Sequence, residues 1–327
     1  MRGWQVTHKS VVEFGDAVPR PELDPDDQHH TLIEVRAAAA NFADRLMIDG
    51  RYQLRPRRPF VPGFEVAGVV IESNHAPLAV GTRVAGVTDP RHGAWAEVCA
   101  ADSRHLTRLP DELGWAEAIG VHTNAQTAWF ALHHSGHITA GDTVLVHAAA
   151  GAVGSMAVQL ARAAGCTVVG TASYPKLERV RELGAHHAVD NRSDGWPTLV
   201  RNAVGAVDVV IDPVGDAVFD GSWKLLADEG RYVVVGFASD GVPSIPANQA
   251  LVRNLSVHGM YWTPLATAHP DLVERAAWEI FGLHREGRLD PCVTVVDSIE
   301  HADRRLADVT AGRVIGKTVL VWDDPAD

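Results

Sequence analysis

The sequence predicts an α/β protein: a six-stranded, doubly wound parallel sheet accompanied by a mostly antiparallel β domain. Three observations predict it. Six short, mostly β-branched apolar runs between residues 143 and 260 alternate with helical patterns, as in a parallel sheet covered on both faces. Residues 1 to about 120 carry instead short alternating strands, parted by turn-rich, proline-rich and charged stretches such as Pro19 to Gln28. The 327 residues suggest two domains. The predicted division is a flanking domain over 1–122, the parallel sheet over 123–262, and a return to the flanking domain over 263–327.

In chain order, apolar alternation predicts strands at Trp4 to Thr7, Thr31 to Ala37, Val66 to Glu72, Thr82 to Val87 and Trp95 to Ala100. A helix over Thr123 to Trp129 precedes the parallel unit. Its first strand, Thr143 to Val146, runs through small residues into a helix over Ala152 to Ala164. A strand over Thr167 to Thr171 follows, then a helix from Lys176 to Leu183 that Gly184 stops. Strands at His187 to Asp190, Val207 to Asp212, Arg231 to Gly236 and near Leu255 to Met260 complete the six, with helices between them, one over about Ala217 to Ala227. The return comprises a helix over Asp271 to Arg285, a strand over Val293 to Val296, a helix over Ile299 to Val309 and a strand over Lys317 to Trp322.

The turn between the first parallel strand and its helix reads Ala149-x-Gly151-x-x-Gly154, a variant of the dinucleotide-binding fingerprint with alanine at its first glycine. Gly151 lets backbone approach a pyrophosphate, Gly154 lets the helix sit close to the strand, and the helix start offers N–H groups to phosphate. An NAD-selective site ends its second strand with a carboxylate for the ribose 2′-hydroxyl. Here the strand runs into Thr171-Ala-Ser173-Tyr174-Pro175-Lys176. A hydroxyl and a cation suit a 2′-phosphate, which predicts NADP(H). Ser173 is also a candidate N-cap with Pro175 in the first turn, and the two roles are compatible. Parallel sheets bind ligands beyond the carboxyl ends of their strands. That gathers Asp212-Pro-Val214-Gly215, Gly236-Phe237-Ala-Ser239 and Met260-Tyr261-Trp262 around the cofactor.

Composition excludes several classes. Hydrophobic residues make up 46% and charged residues 21%, as in an ordinary globular protein. The 29 basic and 41 acidic residues leave a net charge of −12, which argues against nucleic acid and acidic membrane surfaces as partners. Arg55-Pro-Arg57-Arg58 is the local exception, a solvated loop or a receiver for an anionic substrate tail. No apolar run reaches the ~18 residues of a membrane span, and no signal-peptide core is visible. Three cysteines far apart give no disulfide framework and suit a reducing cytoplasm. The 17 histidines invite a metal reading, but neither the adjacent pairs nor His133 and His137 make a metal motif, and no metal is expected.

Over nearly its full length the chain resembles the zinc-independent NADPH:quinone oxidoreductase branch of the medium-chain dehydrogenase/reductase superfamily. The resemblance is carried by Asn41-Phe-Ala-Asp44, Tyr52, Phe60-Val-Pro-Gly-Phe-Glu-Val-Ala-Gly-Val-Val70, Gly81-Thr-Arg-Val84 and Gly93-Ala-Trp-Ala96. It continues in Ala148 to Gly154, Gly184-Ala185, Asp212 to Gly215, Gly236 to Ser239, Ile245-Pro-Ala-Asn248 and Gly316-Lys-Thr-Val-Leu320. It implies a GroES-like substrate domain with a Rossmann domain, NADPH dependence and a homodimer. Zinc-dependent relatives have a Gly-His-Glu motif where this chain has Gly63-Phe64-Glu65, and Asn41 to Asp44 stands in place of their cysteine motif. A tetrahedral zinc site cannot be built from these residues.

The residues and the resemblance together give the expected roles. Gly151, Ala152, Val153 and Gly154 cradle the pyrophosphate. Ser173 and Lys176 take the 2′-phosphate with Arg192 in support, although Asn191 stands where relatives often have a tyrosine. Val214, Gly215, Phe237 and Ser239 line the adenosine and ribose side, and Asn41, Thr127, Tyr261 and Trp262 position the nicotinamide. An acceptor enters between the domains. Tyr52 orients its oxygen, passes a proton, or only shields the site as a loop aromatic. Asp44 is a second polar group there, or caps a helix beginning near Asn41. The expected function is hydride transfer from NADPH to a quinone or similar electron-poor carbonyl. The alternatives are an enone or enoyl-CoA reductase, and a non-enzymatic cofactor-binding protein of crystallin-like or RNA-binding kind.

Overall fold

The computed structural model describes residues 1–322, which divide into two units. The first comprises Met1–Thr123, Thr263–Ala277 and the chain from Pro291 onward; the second comprises Asn124–Trp262 and Trp278–Asp290. The end of the predicted 263–327 segment, residues 323–327, lies outside the described residues.

The chain begins with β1 (Gly3–His8), β2 (Val11–Gly15), β3 (His30–Ala39), α1 (Phe42–Ile48), β4 (Glu65–Ser73), β5 (Arg83–Val87), β6 (Val98–Asp102), β7 (Leu106–Arg108) and α2 (Trp115–Val121). After α3 (Thr123–Trp129), which runs on as a π-helix over Phe130–Ser135, come β8 (Thr143–Val146), α4 (Ala152–Ala163), β9 (Thr167–Ala172), α5 (Leu177–Glu182), β10 (His187–Asp190) and α6 (Trp196–Val204). Then follow β11 (Val207–Asp212), α7 (Asp216–Leu225), β12 (Leu226–Val234), α8 (Ala247–Arg253), β13 (Ser256–Gly259), α9 (Trp262–Ala268) and α10 (Pro270–Arg285). The described chain closes with β14 (Val293–Ser298), α11 (Ala302–Thr310) and β15 (Lys317–Val321).

In the first unit the sheet order is β14-β15-β3-β4-β5-β7, with β6 on β3. Every pair is antiparallel except β14 with β15. Its core gathers Val6, Ile33, Val66, Val70, Val84, Trp95 and Leu320, all essentially without exposure. Buried indoles need a partner for their N–H: Trp4 Nε1 donates to the Ile299 carbonyl at 2.7 Å and Trp95 Nε1 to the Ala39 carbonyl at 2.9 Å. The insertion of Trp95 explains why the strand predicted from Trp95 starts only at Val98. The segment before it is a turn held by the Ala94 N–H on the Gly63 carbonyl and the Trp95 N–H on the Pro62 carbonyl.

In the second unit six parallel strands run in the order β10-β9-β8-β11-β12-β13. The order reverses between β8 and β11, the switch point where such sheets take ligands. β12 ends at Val234, two residues before its predicted end, because the Val235 and Gly236 N–H groups turn back to the Asp212 carbonyl. The helix carrying His133 ends at Ser135, and His137 lies beyond it with φ 45°, so the two histidines share no helical face.

Candidate functional site

In the second unit the site is built chiefly from backbone. β8 delivers the chain into His147-Ala-Ala-Ala-Gly151, and α4 begins at Ala152. The N–H groups of Ala152, Val153 and Gly154 open the helix, where no intrahelical acceptor exists for them. The tight turn is made by Ala148, not by Ala149, where the fingerprint alignment placed the substituted glycine. Ala148 takes the left-handed conformation with φ 48°, and its carbonyl accepts from the Gly151 N–H at 2.8 Å. Ala149 is buried, its N–H on the Thr171 carbonyl at 2.9 Å. A Cβ on Gly154 would overlap the Ala148 carbonyl oxygen, so only glycine lets α4 start against this turn.

Buried side chains pin the turn. His147 is without exposure, one ring nitrogen 2.8 Å from Thr171 Oγ1 and the other 2.6 Å from Ser222 Oγ. Burial lowers its pKa to about 3, so the ring is neutral and joins β8, β9 and α7. Across the switch point, Asp212 Oδ1 accepts from the Val214 and Gly215 N–H groups at 2.7 and 3.0 Å, and Oδ2 from the Tyr232 hydroxyl at 2.6 Å. Burial raises both pKa values. Gly215 has φ 91°, and a Cβ there would lie 2.6 Å from the Gly241 carbonyl oxygen. Ser239 Oγ donates to the Val214 carbonyl at 2.8 Å, so that hydroxyl also closes the loop, and Phe237 beside it is exposed.

Beyond β9, Ser173 precedes a short 3-10 turn over Tyr174–Lys176. Its carbonyl accepts from the Lys176 N–H at 2.9 Å, but its hydroxyl makes no capping bond. The capping alternative raised by the sequence is therefore met by backbone alone. Lys176 and Arg192 lie close enough that, after burial, the Arg192 charge is what lowers the Lys176 pKa. Two neighbouring cations disfavour each other until an anion joins them. Arg192 N–H is held on Asp190 Oδ1 at 3.0 Å. Thr127 lies part-buried on α3, while Tyr261 and the buried Trp262 follow β13.

In the first unit, β3 ends beside β15, and the chain turns at Asn41 into α1. Lys317, the first residue of β15, is buried with Glu65, the first of β4, and the two form an ion pair. Lys317 Nζ also donates to Asn41 Oδ1 at 2.7 Å. Asp44 is wholly buried; its oxygens accept from the Asn41 N–H at 2.8 Å and the Phe64 N–H at 2.7 Å. Burial pushes its pKa up to about 7, against those two donors and Lys317, which lower it. Asp44 is thus enclosed as an anchor between the start of α1 and the Phe64 strand entry, the helix-anchoring one of its two expected roles. Tyr52 sets its ring edge-on to Phe64 at 6.0 Å between centroids.

Zinc does not fit this donor set. Phe64 offers no ligand atom, Asp44 holds two backbone donors and Glu65 holds Lys317. Among the described residues no three His, Cys, Asp or Glu side chains gather as a metal cluster, and no helix is long and apolar enough to cross a membrane. A dinucleotide does fit the second unit, whose α4 start is bare of side-chain bulk where Gly154 meets the turn. Sequence reasoning singled out the loops but not their supports. His147, Tyr232, Glu65 and Lys317 all lie within or beside quoted segments, and the available signal was a polar residue inside an apolar strand run.

The Alcohol dehydrogenase GroES-like domain family matches residues 27–127 and the Zinc-binding dehydrogenase family residues 152–278. The chain is 33% identical over 318 residues to quinone oxidoreductase-like protein 2 of Bos taurus, covering 95% of this chain and 89% of that protein. It is also 33% identical over 304 residues to a mycocerosic acid synthase-like polyketide synthase of Mycobacterium tuberculosis, spanning 86% of this chain but 14% of the synthase. Among solved structures, the quinone oxidoreductase of Thermus thermophilus, determined also with NADPH, is 34% identical with a TM-score of 0.82, covering 98% of this chain and 100% of its own. The likeness runs through both units, and the chain belongs to the zinc-independent quinone oxidoreductase branch of the medium-chain dehydrogenase/reductase superfamily.

Proposed function

We propose that this protein transfers a hydride from NADPH to a quinone or a similar electron-poor carbonyl acceptor. The observation that carries the cofactor half is the pairing of the glycine-shaped α4 start with Lys176 and Arg192, where an NAD-selective site would put a carboxylate. Bound NADPH supplies the hydride, and an acceptor already short of electrons needs no Lewis acid to receive it. The N–H groups of Ala152, Val153 and Gly154 receive the pyrophosphate. Ser173, Lys176 and Arg192 bind the 2′-phosphate, the Ser173 hydroxyl being unused in capping. Val214, Gly215, Phe237 and Ser239 form the ribose side, with Ser239 holding Val214 in place. Thr127, Tyr261, Trp262 and Asn41 orient the nicotinamide.

Asp44, fully buried, acts on the acceptor only by fixing Asn41 and Phe64. Tyr52 is the candidate to orient the acceptor oxygen or pass a proton. Tyr52→Phe keeps its edge contact with Phe64 and removes the hydroxyl. Turnover lowered by about tenfold or more would make it a proton donor or orienting group, and unchanged turnover would leave it a shield. The defining measurement is NADPH oxidation with a naphthoquinone, a small enone and crotonyl-CoA, with NADH in parallel. Fast turnover with quinone and NADPH is expected.

A second reading, reduction of an enone or enoyl thioester, is favoured by the likeness to a polyketide synthase segment and by the exposed Arg55, Arg57 and Arg58. A preference for crotonyl-CoA with a salt-sensitive KM would establish it. The protein is further proposed to work as a cytoplasmic homodimer. β13 closes the sheet with an open edge, and α8 beside it in sequence leaves Leu251 and Val252 more than 70% exposed. Sedimentation equilibrium at one protomer mass would refute the dimer.

A further inference from the structure

Lys317 and Glu65 form an ion pair closed off from solvent. Buried pairs are poor stabilisers compared with apolar replacements, so what this one touches matters. It touches Asn41. Lys317 Nζ donates to Asn41 Oδ1 at 2.7 Å, and Asn41 Nδ2 uses one of its two hydrogens in a long bond to Glu65 Oε2 at 3.4 Å. Of Asn41, Asp44, Glu65 and Lys317, only Asn41 keeps partial exposure. An amide is nearly symmetric in shape, and its two ends exchange by a simple flip unless a partner distinguishes them. An ammonium carries donors and no acceptor, so it accepts the oxygen as neighbour and refuses the NH₂ group. The main chain on the far side is fixed too, since the Asn41 N–H is held by Asp44.

We propose, building on the reading of Asn41 at the nicotinamide and acceptor, that Lys317 is a positioning residue: clamped by Glu65, it takes the Asn41 oxygen and commits that side chain to donate. The amide then offers a fixed N–H to an oxygen of the bound reactants: the nicotinamide carboxamide, which it would orient, or the acceptor carbonyl, which alone gains negative charge as hydride arrives. Without Lys317 only the long bond to Glu65 orients the amide, which loses its short partner and turns more easily to present its oxygen to theirs. The fold brings this about because β15 lies against β3, and the register that pairs Val319 with Ala39 and Thr318 with Ala40 sets Lys317 beside Asn41, two residues past β3's end.

The test is a double-mutant cycle of Lys317→Met and Asn41→Leu, read as kcat and KM for the best acceptor and Kd for NADPH by fluorescence. Expected for Lys317→Met is a kcat lowered about tenfold or more with NADPH affinity within about threefold, and a double variant no slower than Asn41→Leu alone. An unchanged kcat, or effects of the two variants that multiply, overturns the proposal. If Lys317→Met does not fold, Glu65→Leu/Lys317→Met, which leaves no lone buried charge, takes its place in the cycle under the same criteria. If the wild type reduces no acceptor, the proposed function has failed, and the amide itself decides the inference. The chain has seven asparagines, so selective ¹⁵N labelling resolves the Asn41 NH₂ signals. Restricted amide rotation and exchange in the wild type, faster by about tenfold or more without Lys317, supports the clamp; equal rates overturn it.

Discussion

The two units solve the same problem, fixing polar groups out of water, in different ways. Around the turn before α4 the buried network is neutral or served by backbone: His147 between Thr171 and Ser222, and Asp212 capped by two N–H groups and the Tyr232 hydroxyl. Around Asn41 it is ionic, with Lys317 set between Glu65 and the amide. A neutral network holds a backbone shape against a ligand that brings its own charge. An ionic one costs more to bury and dictates which end of a neighbouring dipole faces it.

The sharpest way to break that contrast is to remove one charge. Lys317→Met leaves Glu65 buried alone and should cost about 3–5 kcal/mol, whereas Glu65→Leu/Lys317→Met should return to within about 1–2 kcal/mol of the wild type. Urea unfolding of the three proteins reads this directly. Equal losses for single and double variants would mean that the pair is not the ionic element it is described as.

Acid titration contrasts His147 with Asp44 next. Burial holds His147 and, in the first unit, His122 at a pKa of about 3. Their folded values lie below the unfolded value of about 6.5, so stability is full above pH 6.5 and falls as pH drops towards 3. Asp44 works oppositely: its folded value of about 7 lies above the ordinary carboxyl value of 3.8, so its contribution is full below 3.8 and fades as pH rises to 7. Each group moves stability by up to about 1.4 kcal/mol per pH unit. Between pH 4 and 6.5, His147→Leu should flatten the rise of stability with pH, and Asp44→Asn should steepen it. Denaturant midpoints across that range test both signs.

Cofactor choice gives a smaller effect. Lys176→Ala/Arg192→Ala should weaken NADPH by about 30-fold, near 2 kcal/mol, and leave NADH almost unchanged. Loss of both cofactors together would place the two cations in fold maintenance instead. Smallest of all is Ala148→Gly. It relieves a left-handed alanine and frees the unfolded chain, two opposing contributions of about 1 kcal/mol, so Tm should move by only a few degrees.

The legibility of the two regions follows their construction. The six parallel strands, the glycine-spaced turn and the cation after β9 are local: each is written in a dozen consecutive residues, and the sheet formed where alternation and turns placed it. Where expectation slipped, a tertiary contact was responsible. Trp95 left its strand to fill the core, and β12 stopped early because its next N–H groups bond back to Asp212. The polarity of Gly63-Phe64-Glu65 was legible as the loss of a zinc ligand. What occupies that place was not.

By itself, then, the sequence determined the fold class, the two-domain composition and the glycine-spaced turn before α4, because backbone geometry at glycine and the 2.0 and 3.6 residue periods are short-range. It also determined that no tetrahedral zinc site could form, since ligand identity precedes geometry. Only the tertiary structure decided that Ala148 takes the turn, that Asp44 is an enclosed anchor, and that Lys317 holds Asn41. These depend on which strands become neighbours, and across the separation of 276 positions from Asn41 to Lys317 the chain carries no local mark of that pairing.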